Sequence, residues 1–215
     1  MGCCASEPVG PTEKPGQATV ISKAPSALGQ KQETKAEVLP DRKKLYAKNP
    51  KIKLGYWKIR GLAHPIRYLL EYIEHPYEDV MYEQGDAPSY SIECWTSVKN
   101  ELGLAFPNMP YMVDGETKLT DTIAIMVYLC HKYAPELLGN TLKQKADVDM
   151  LYSQMKDIKS AITGPCYVGH NPEALKQTCK VKMQPIVAYL GKNDYICGAN
   201  ITYLDFYLLE MCDFV

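Results

Sequence analysis

The chain has 215 residues, 46% of them hydrophobic and 23% charged, with a formal net charge of −1. That length can bury a sizeable core, and so neutral a balance offers nothing to recruit nucleic acid. The eight cysteines include no CxxC pair and no Cys/His cluster at zinc spacing, so no metal is expected, and no apolar run reaches the ~18 residues of a membrane span.

Residues 1–49 hold five prolines, one aromatic (Tyr46) and no helical or strand period, so they read as a disordered tail with a basic end, DRKKLYAKNPKIK. From residue 50 the pattern is that of a compact domain. KIKLGYWKI (51–59) is a strand candidate that runs into a turn at Arg60-Gly61. In HPIRYLLEYIEH, Ile66, Leu69, Leu70 and Ile73 fall on one helix face, with Pro65 suited to the first turn. YEDVMY (77–82) is a second strand, and EQGDAPSYSIECW is loop-like. PYMVDGETKLT reads as two short strands joined at Asp114-Gly115, and DTIAIMVYLCHKYA as a buried helix by its length. This is β-α-β, a loop, then β-β-α, with parallel and antiparallel pairs.

Beyond residue 140 the chain turns helical. Thr141 and Gln144 have capping-box spacing, and Val148, Leu151, Met155, Ile158 and Ile162 form a helix stripe. Asn171-Pro172 opens another helix, with Leu175, Cys179, Met183, Ile186 and Leu190 on one face. ITYLDF opens a third, with Thr202 and Asp205 capping each other. The expected domains are therefore the tail (1–49), an α/β domain (50–134) and a helical domain (140–215).

Four stretches carry a resemblance: LGYWKIRGLAHPIRYLLEY (54–72), GDAPSYSIECW (85–95), LGLAFPNMPYMVDG (102–115) and ITYLDF (201–206). In order and spacing they are similar to the cytosolic glutathione S-transferases, and the GDAP loop followed by Trp95 resembles the mu class. The resemblance covers residues 51 to 215. It implies a thioredoxin-like N-terminal domain that binds glutathione as a substrate, an all-α domain that binds an electrophile, and a homodimer.

The chemistry is consistent with that fold. A cysteine thiol has a pKa of about 8.5, so little of glutathione is thiolate at neutral pH. Each unit by which an enzyme lowers it corresponds to ~1.4 kcal/mol. A phenol can donate its O–H to the sulfur while staying neutral, and Tyr56 stands where the family has its catalytic tyrosine; the plainer reading of any one tyrosine is a core aromatic. The tripeptide's carboxylates and ammonium need cations, backbone donors and a helix N-terminus. The resemblance implies that Trp57 and Leu62 line its pocket and that Trp95 and Lys99 hold its glycine end. It also implies that Asn108 and Met109 precede a cis Pro110, with Met109 pairing its backbone to the ligand's cysteine. Thr122 offers a hydroxyl and a helix N-terminal amide. Asp157 matches the acid that reaches the partner subunit's site, and Tyr167 the electrophile-site tyrosine.

Two departures stand out. Asp121-Thr122 replaces the family's Gln-Ser, so a carboxylate sits where an amide is usual; it either favours the ligand's ammonium, repels its carboxylate, or simply caps the helix. The sequence also ends at Val215, inside an apolar run, where the family continues for several helices. It reads either as a fragment or as a shortened transferase with an open second site.

The expected activity is conjugation of glutathione to electrophilic small molecules. The alternatives are a non-catalytic glutathione-binding module tethered to a membrane, or a specialised glutathione-dependent isomerase or peroxidase. The tether is legible in MGCCASEPVG. Gly2 with Ser6 fits the myristoylation pattern, and Cys3 and Cys4 are suited to palmitoylation. One acyl chain binds membranes marginally and a second makes anchoring stable. The N-terminus has no apolar signal-peptide core, so the expected place of work is the cytoplasmic face of a membrane, with a soluble cytosolic protein as the alternative.

Overall fold

The structure is a computed structural model that describes Tyr46, residues 51–168 and residues 171–214, with no side-chain description for 165–168 or 214. Of the expected 1–49 tail only Tyr46 is described, and it departs from the expectation of disorder: its ring is buried and its hydroxyl donates to the Ile73 carbonyl at 2.8 Å. The expectations for the rest of that tail, including Gly2, Cys3 and Cys4, and for the Tyr167 side chain lie outside the described residues. All described residues belong to the unit Leu39–Val215.

A four-stranded mixed sheet of order β2-β1-β3-β4 forms one layer. β1 (Ile52–Trp57) pairs parallel with β2 (Tyr77–Tyr82) in the register Tyr56 to Met81. It pairs antiparallel with β3 (Tyr111–Asp114), which forms a hairpin with β4 (Thr117–Thr120) across Gly115 in the left-handed region. Helix α1 (His64–Tyr72) makes the β1–β2 crossover, as a parallel pair requires. This is the thioredoxin-like β-α-β and β-β-α arrangement expected from the sequence.

Burial explains why these residues hold these places. Ile52, Leu54, Ile66, Leu69, Leu70 and Ile73 have no exposed surface. Truncating any one of the leucines to alanine costs about 2–5 kcal/mol by the usual cavity argument. Gly55 is obligatory, because a Cβ there would run into the ring of Tyr111 on β3. The Arg67 guanidinium pairs with Asp79 of β2 at 2.9 Å and donates to the Ile59 carbonyl at 2.9 Å, tying α1 to the end of β1.

The edges differ slightly from expectation. α1 stops at Tyr72, three residues early, where the chain turns through Glu74 at φ 54°. Residues 93–95 of the expected loop instead form, with Thr96, a one-turn helix, α2 (Glu93–Thr96), which turns Trp95 inward to 7% exposure. The gain from burying that indole against Tyr111 and Tyr82 accounts for the local order.

Helix α3 (Thr122–Tyr133) packs against α1 and leads through a 3-10 turn to α4 (Leu142–Val168). The capping box holds: Thr141 Oγ1 accepts from the Gln144 amide at 3.1 Å, and Gln144 Oε1 accepts from the Thr141 amide at 3.2 Å. The apolar stripe from Val148 to Ile162 is buried as predicted. α5 (Pro172–Leu190) starts at Asn171, whose Oδ1 accepts from the Ala174 amide at 3.0 Å. α6 (Tyr203–Phe214) packs on α1 and α4, and among the described residues no helix is long and apolar enough to cross a membrane.

Before α6, the expected pairing is one-sided. Asp205 Oδ2 accepts from both the Thr202 amide (2.7 Å) and its hydroxyl (3.0 Å), while Oδ1 accepts from the Ile196 amide (2.8 Å). One carboxylate thus fastens the 195–202 loop to the helix. Asp205→Ala is expected to lower stability by about 2–3 kcal/mol, read from urea unfolding, and Asp205→Asn by less.

Candidate active site

Tyr56 sits one residue before the end of β1, its ring largely buried at 7% exposure. The chain turns back over it, and the Leu62 amide donates to Tyr56 Oη at 3.1 Å. Gly61 makes that approach possible. Its φ is +45°, and a Cβ there would lie 2.7 Å from the phenol oxygen. Arg60, beside it, donates to Glu210 and Asp213 of α6 at 2.7 Å each and to the Tyr68 hydroxyl at 3.0 Å. Those two carboxylates push the Arg60 guanidinium further into its charged form, and Arg60 in turn holds the Asp213 carboxyl below its ordinary range.

A second edge comes from the loop before β3. The Met109–Pro110 peptide is cis, as the resemblance implied, and so is Ala87–Pro88, which it did not. The Met109 amide donates to Asn108 Oδ1 at 2.9 Å. The Pro110 carbonyl accepts from the Asp121 amide at 3.2 Å, which brings this loop to the start of α3.

At that helix start, Asp121 acts as the N-cap. Its Oδ1 accepts from the amides of Ile123 (2.9 Å) and Ala124 (3.2 Å), from a backbone at φ 82°. The Thr122 hydroxyl donates to the Leu62 carbonyl at 2.9 Å. The capping role weighed for Asp121 is thus its role in this structure, and the Thr122 proton is directed at the turn.

These elements enclose a cavity of about 490 Å³. Of the residues singled out from sequence, Tyr56, Leu62, Asn108, Met109, Asp121 and Thr122 line it. Trp57, Trp95, Lys99 and Asp157 do not. Trp95 is stacked on Tyr111 with ring centroids 5.8 Å apart, Trp57 stands edge-on to Tyr82, and Asp157 is exposed on α4.

The opposite wall escaped the sequence reading. It is built by Tyr152, Lys156, Lys159, Ser160 and Thr163 of α4 with Tyr207 and Glu210 of α6. The α4 residues follow i, i+4, i+7, i+8, i+11, a polar stripe beside the buried apolar one. That spacing is readable in the sequence, but nothing in it says which face meets a cavity. Burial pushes the Lys159 amine below its ordinary range, while the Glu210 charge acts the other way.

The layout defines a two-part protein: a thioredoxin-like α/β layer whose first strand ends in a phenol, with helices closing a small-molecule cavity over it. The family model described as "Glutathione S-transferase, N-terminal domain" matches residues 52–131. Glutathione S-transferase Mu 1 of Rattus norvegicus is 40% identical over 166 residues, 74% of each chain. Glutathione S-transferase Mu 2 of Mus musculus is 42% identical over 164 residues, again 74% of each. Among solved structures, a pi-class glutathione S-transferase of Onchocerca volvulus superposes with a TM-score of 0.65 at 24% identity, covering 76% of each chain, a likeness of fold. The chain belongs to the glutathione S-transferase family and is similar to its mu-class members.

The tight turn beneath the phenol supplies a direct test of this geometry. Gly61→Ala must either strain its left-handed backbone or displace the Tyr56 oxygen, so urea unfolding is expected to show a loss of about 1–3 kcal/mol. Unchanged stability would mean that the turn is looser than described.

Proposed function

We propose that this chain is a transferase that attacks electrophilic small molecules with the thiolate of glutathione, and that Tyr56 stabilises that thiolate. The observation that carries the reading is the Tyr56 phenol on the cavity wall, its oxygen already accepting the Leu62 amide. An N–H donated to a phenol oxygen strengthens the phenol as a donor, and a thiolate beside it is the natural acceptor. In the reaction, sulfur forms its bond to the electrophilic carbon. The electron pair leaves with a leaving group such as chloride, or moves onto an activated double bond that then takes a proton.

In this reading the α/β half (50–134) holds glutathione and the helical half (140–215) holds the electrophile. Leu62, Asn108, Met109 and Thr122 are the glutathione contacts on the near wall. Asp121, already neutralised in part by two helix amides, attracts the ligand's ammonium. Trp57 supports the glutathione pocket beside Leu62, Trp95 and Lys99 serve the glycine end, all three from outside the cavity described above, and Asp157 reaches the second subunit of a homodimer. Tyr167 belongs to the electrophile side.

Tyr56→Phe is expected to lower kcat/KM for conjugation of 1-chloro-2,4-dinitrobenzene by about 100- to 1,000-fold, the scale of one preorganised donor. Retention on immobilised glutathione is expected to persist. Retention by the unaltered chain without turnover would favour the alternative of a glutathione-binding module.

The N-terminus supports a place of action. Gly2, Ser6, Cys3 and Cys4 together suit a myristoylated and palmitoylated anchor, with Arg42, Lys43 and Lys44 adding attraction to anionic lipid. Fractionation of cells is expected to find the full chain with membranes and Gly2→Ala in the soluble fraction. Membrane retention of Gly2→Ala would rule the acyl anchor out.

A further inference from the structure

The chemistry of the far wall bears on which electrophiles the site takes. Lys156 and Lys159 are one turn apart on α4, both on the cavity wall. Among the described residues neither makes an ion pair. Lys159 Nζ is buried without a hydrogen-bond partner, and its compensation is the face of Tyr207, 4.9 Å from the ring centroid, with the charge of Glu210 nearby.

The carboxylate of that far wall is already engaged, since Glu210 receives Arg60 at 2.7 Å. The charge left to meet a ligand from this side is therefore positive. A buried ammonium without a hydrogen-bonded partner is unfavourable, and a ligand that supplies an oxygen anion relieves it. Ser160 and Thr163 add hydroxyls beside the lysines, while Ile162 and Met211 supply apolar surface for the rest of a ligand. The glutathione contacts proposed above lie on the α/β side, which leaves the lysines to the second substrate.

We infer that Lys159, assisted by Lys156, selects electrophiles that carry a carboxylate. The inference rests on the conjugation reading, and its test separates the two. Two acceptors of the same reactive type are compared, neutral 1-chloro-2,4-dinitrobenzene and anionic 4-chloro-3,5-dinitrobenzoate. In both, the thiolate sulfur bonds to the halogen-bearing carbon and chloride leaves with the bonding pair. The ratio of kcat/KM, anionic over neutral, is expected to fall about tenfold in Lys159→Met and to return in Lys159→Arg. Lys156→Gln, on an exposed side chain of the same wall, is expected to move the ratio in the same direction by a smaller factor, whether or not Lys159→Met folds. A ratio unmoved in Lys159→Met and Lys156→Gln overturns the inference, as does an equal loss on both acceptors with a raised KM for glutathione.

If the unaltered protein turns over neither acceptor, the conjugation reading fails and binding decides the selectivity. Calorimetry with unreactive 3,5-dinitrobenzoate and 1,3-dinitrobenzene is then expected to show tighter binding of the anion, a preference lost in Lys159→Met. Equal affinities for the two would overturn it.

Discussion

The three-residue turn Arg60-Gly61-Leu62 is the constraint on which the rest of the site depends. From it the Leu62 amide reaches the Tyr56 phenol, the Leu62 carbonyl receives the Thr122 hydroxyl, and Arg60 crosses to Glu210 and Asp213. One short segment thereby joins the end of β1, the start of α3 and the last turns of α6. The bonds run from backbone to side chain at Leu62 and between charged groups at Arg60, and so they fix position as well as proximity. The left-handed glycine between them is what lets a backbone pass so close to an aromatic ring.

The cavity that results has two unlike walls. The α/β wall presents a phenol, a loop with a cis proline and a capped helix end, all held by short backbone contacts. The helical wall presents long polar side chains on α4, whose register is set by its buried apolar stripe. In the proposed reading the first wall positions one substrate and the second meets the other through side-chain chemistry. On the helical wall Glu210 is paired with Arg60, whereas Lys156 and Lys159 make no ion pair among the described residues.

A separate polar cluster steadies the far side of the sheet. Asp114, nearly buried, accepts from the hydroxyls of Tyr128 and Tyr133 and from Lys132 at 2.6 Å, and these donors hold its carboxyl below the ordinary range against the effect of burial. Tyr46, from the segment that precedes the family match, packs its ring on His75 and Tyr133 and donates to the Ile73 carbonyl at 2.8 Å. Burial keeps His75 toward its neutral form. The single aromatic of the first 49 residues thus belongs to the core of the fold.

By itself the sequence determined the strands, the longer helices and most of their caps, because those follow from local periodicity and from residues three or four apart; the one-turn α2, which depends on burying Trp95, was not legible. Pro65 opening α1, the Asp114-Gly115 hairpin, the Thr141–Gln144 box and the buried face of α4 were all legible in this way. Tyr56 was legible too, through a motif whose neighbours set its position on β1. The tertiary structure alone decided what each polar group faces. Asp121 was ambiguous until its carboxylate was seen on the amides of Ile123 and Ala124. Arg60 and Glu210 are 150 residues apart, and Tyr56 and Lys159 more than a hundred, so no local rule joins them. Which stripe of α4 turns to the cavity, and which charges remain uncompensated there, depends on how two layers pack, because packing of distant segments sets the neighbours of a charge.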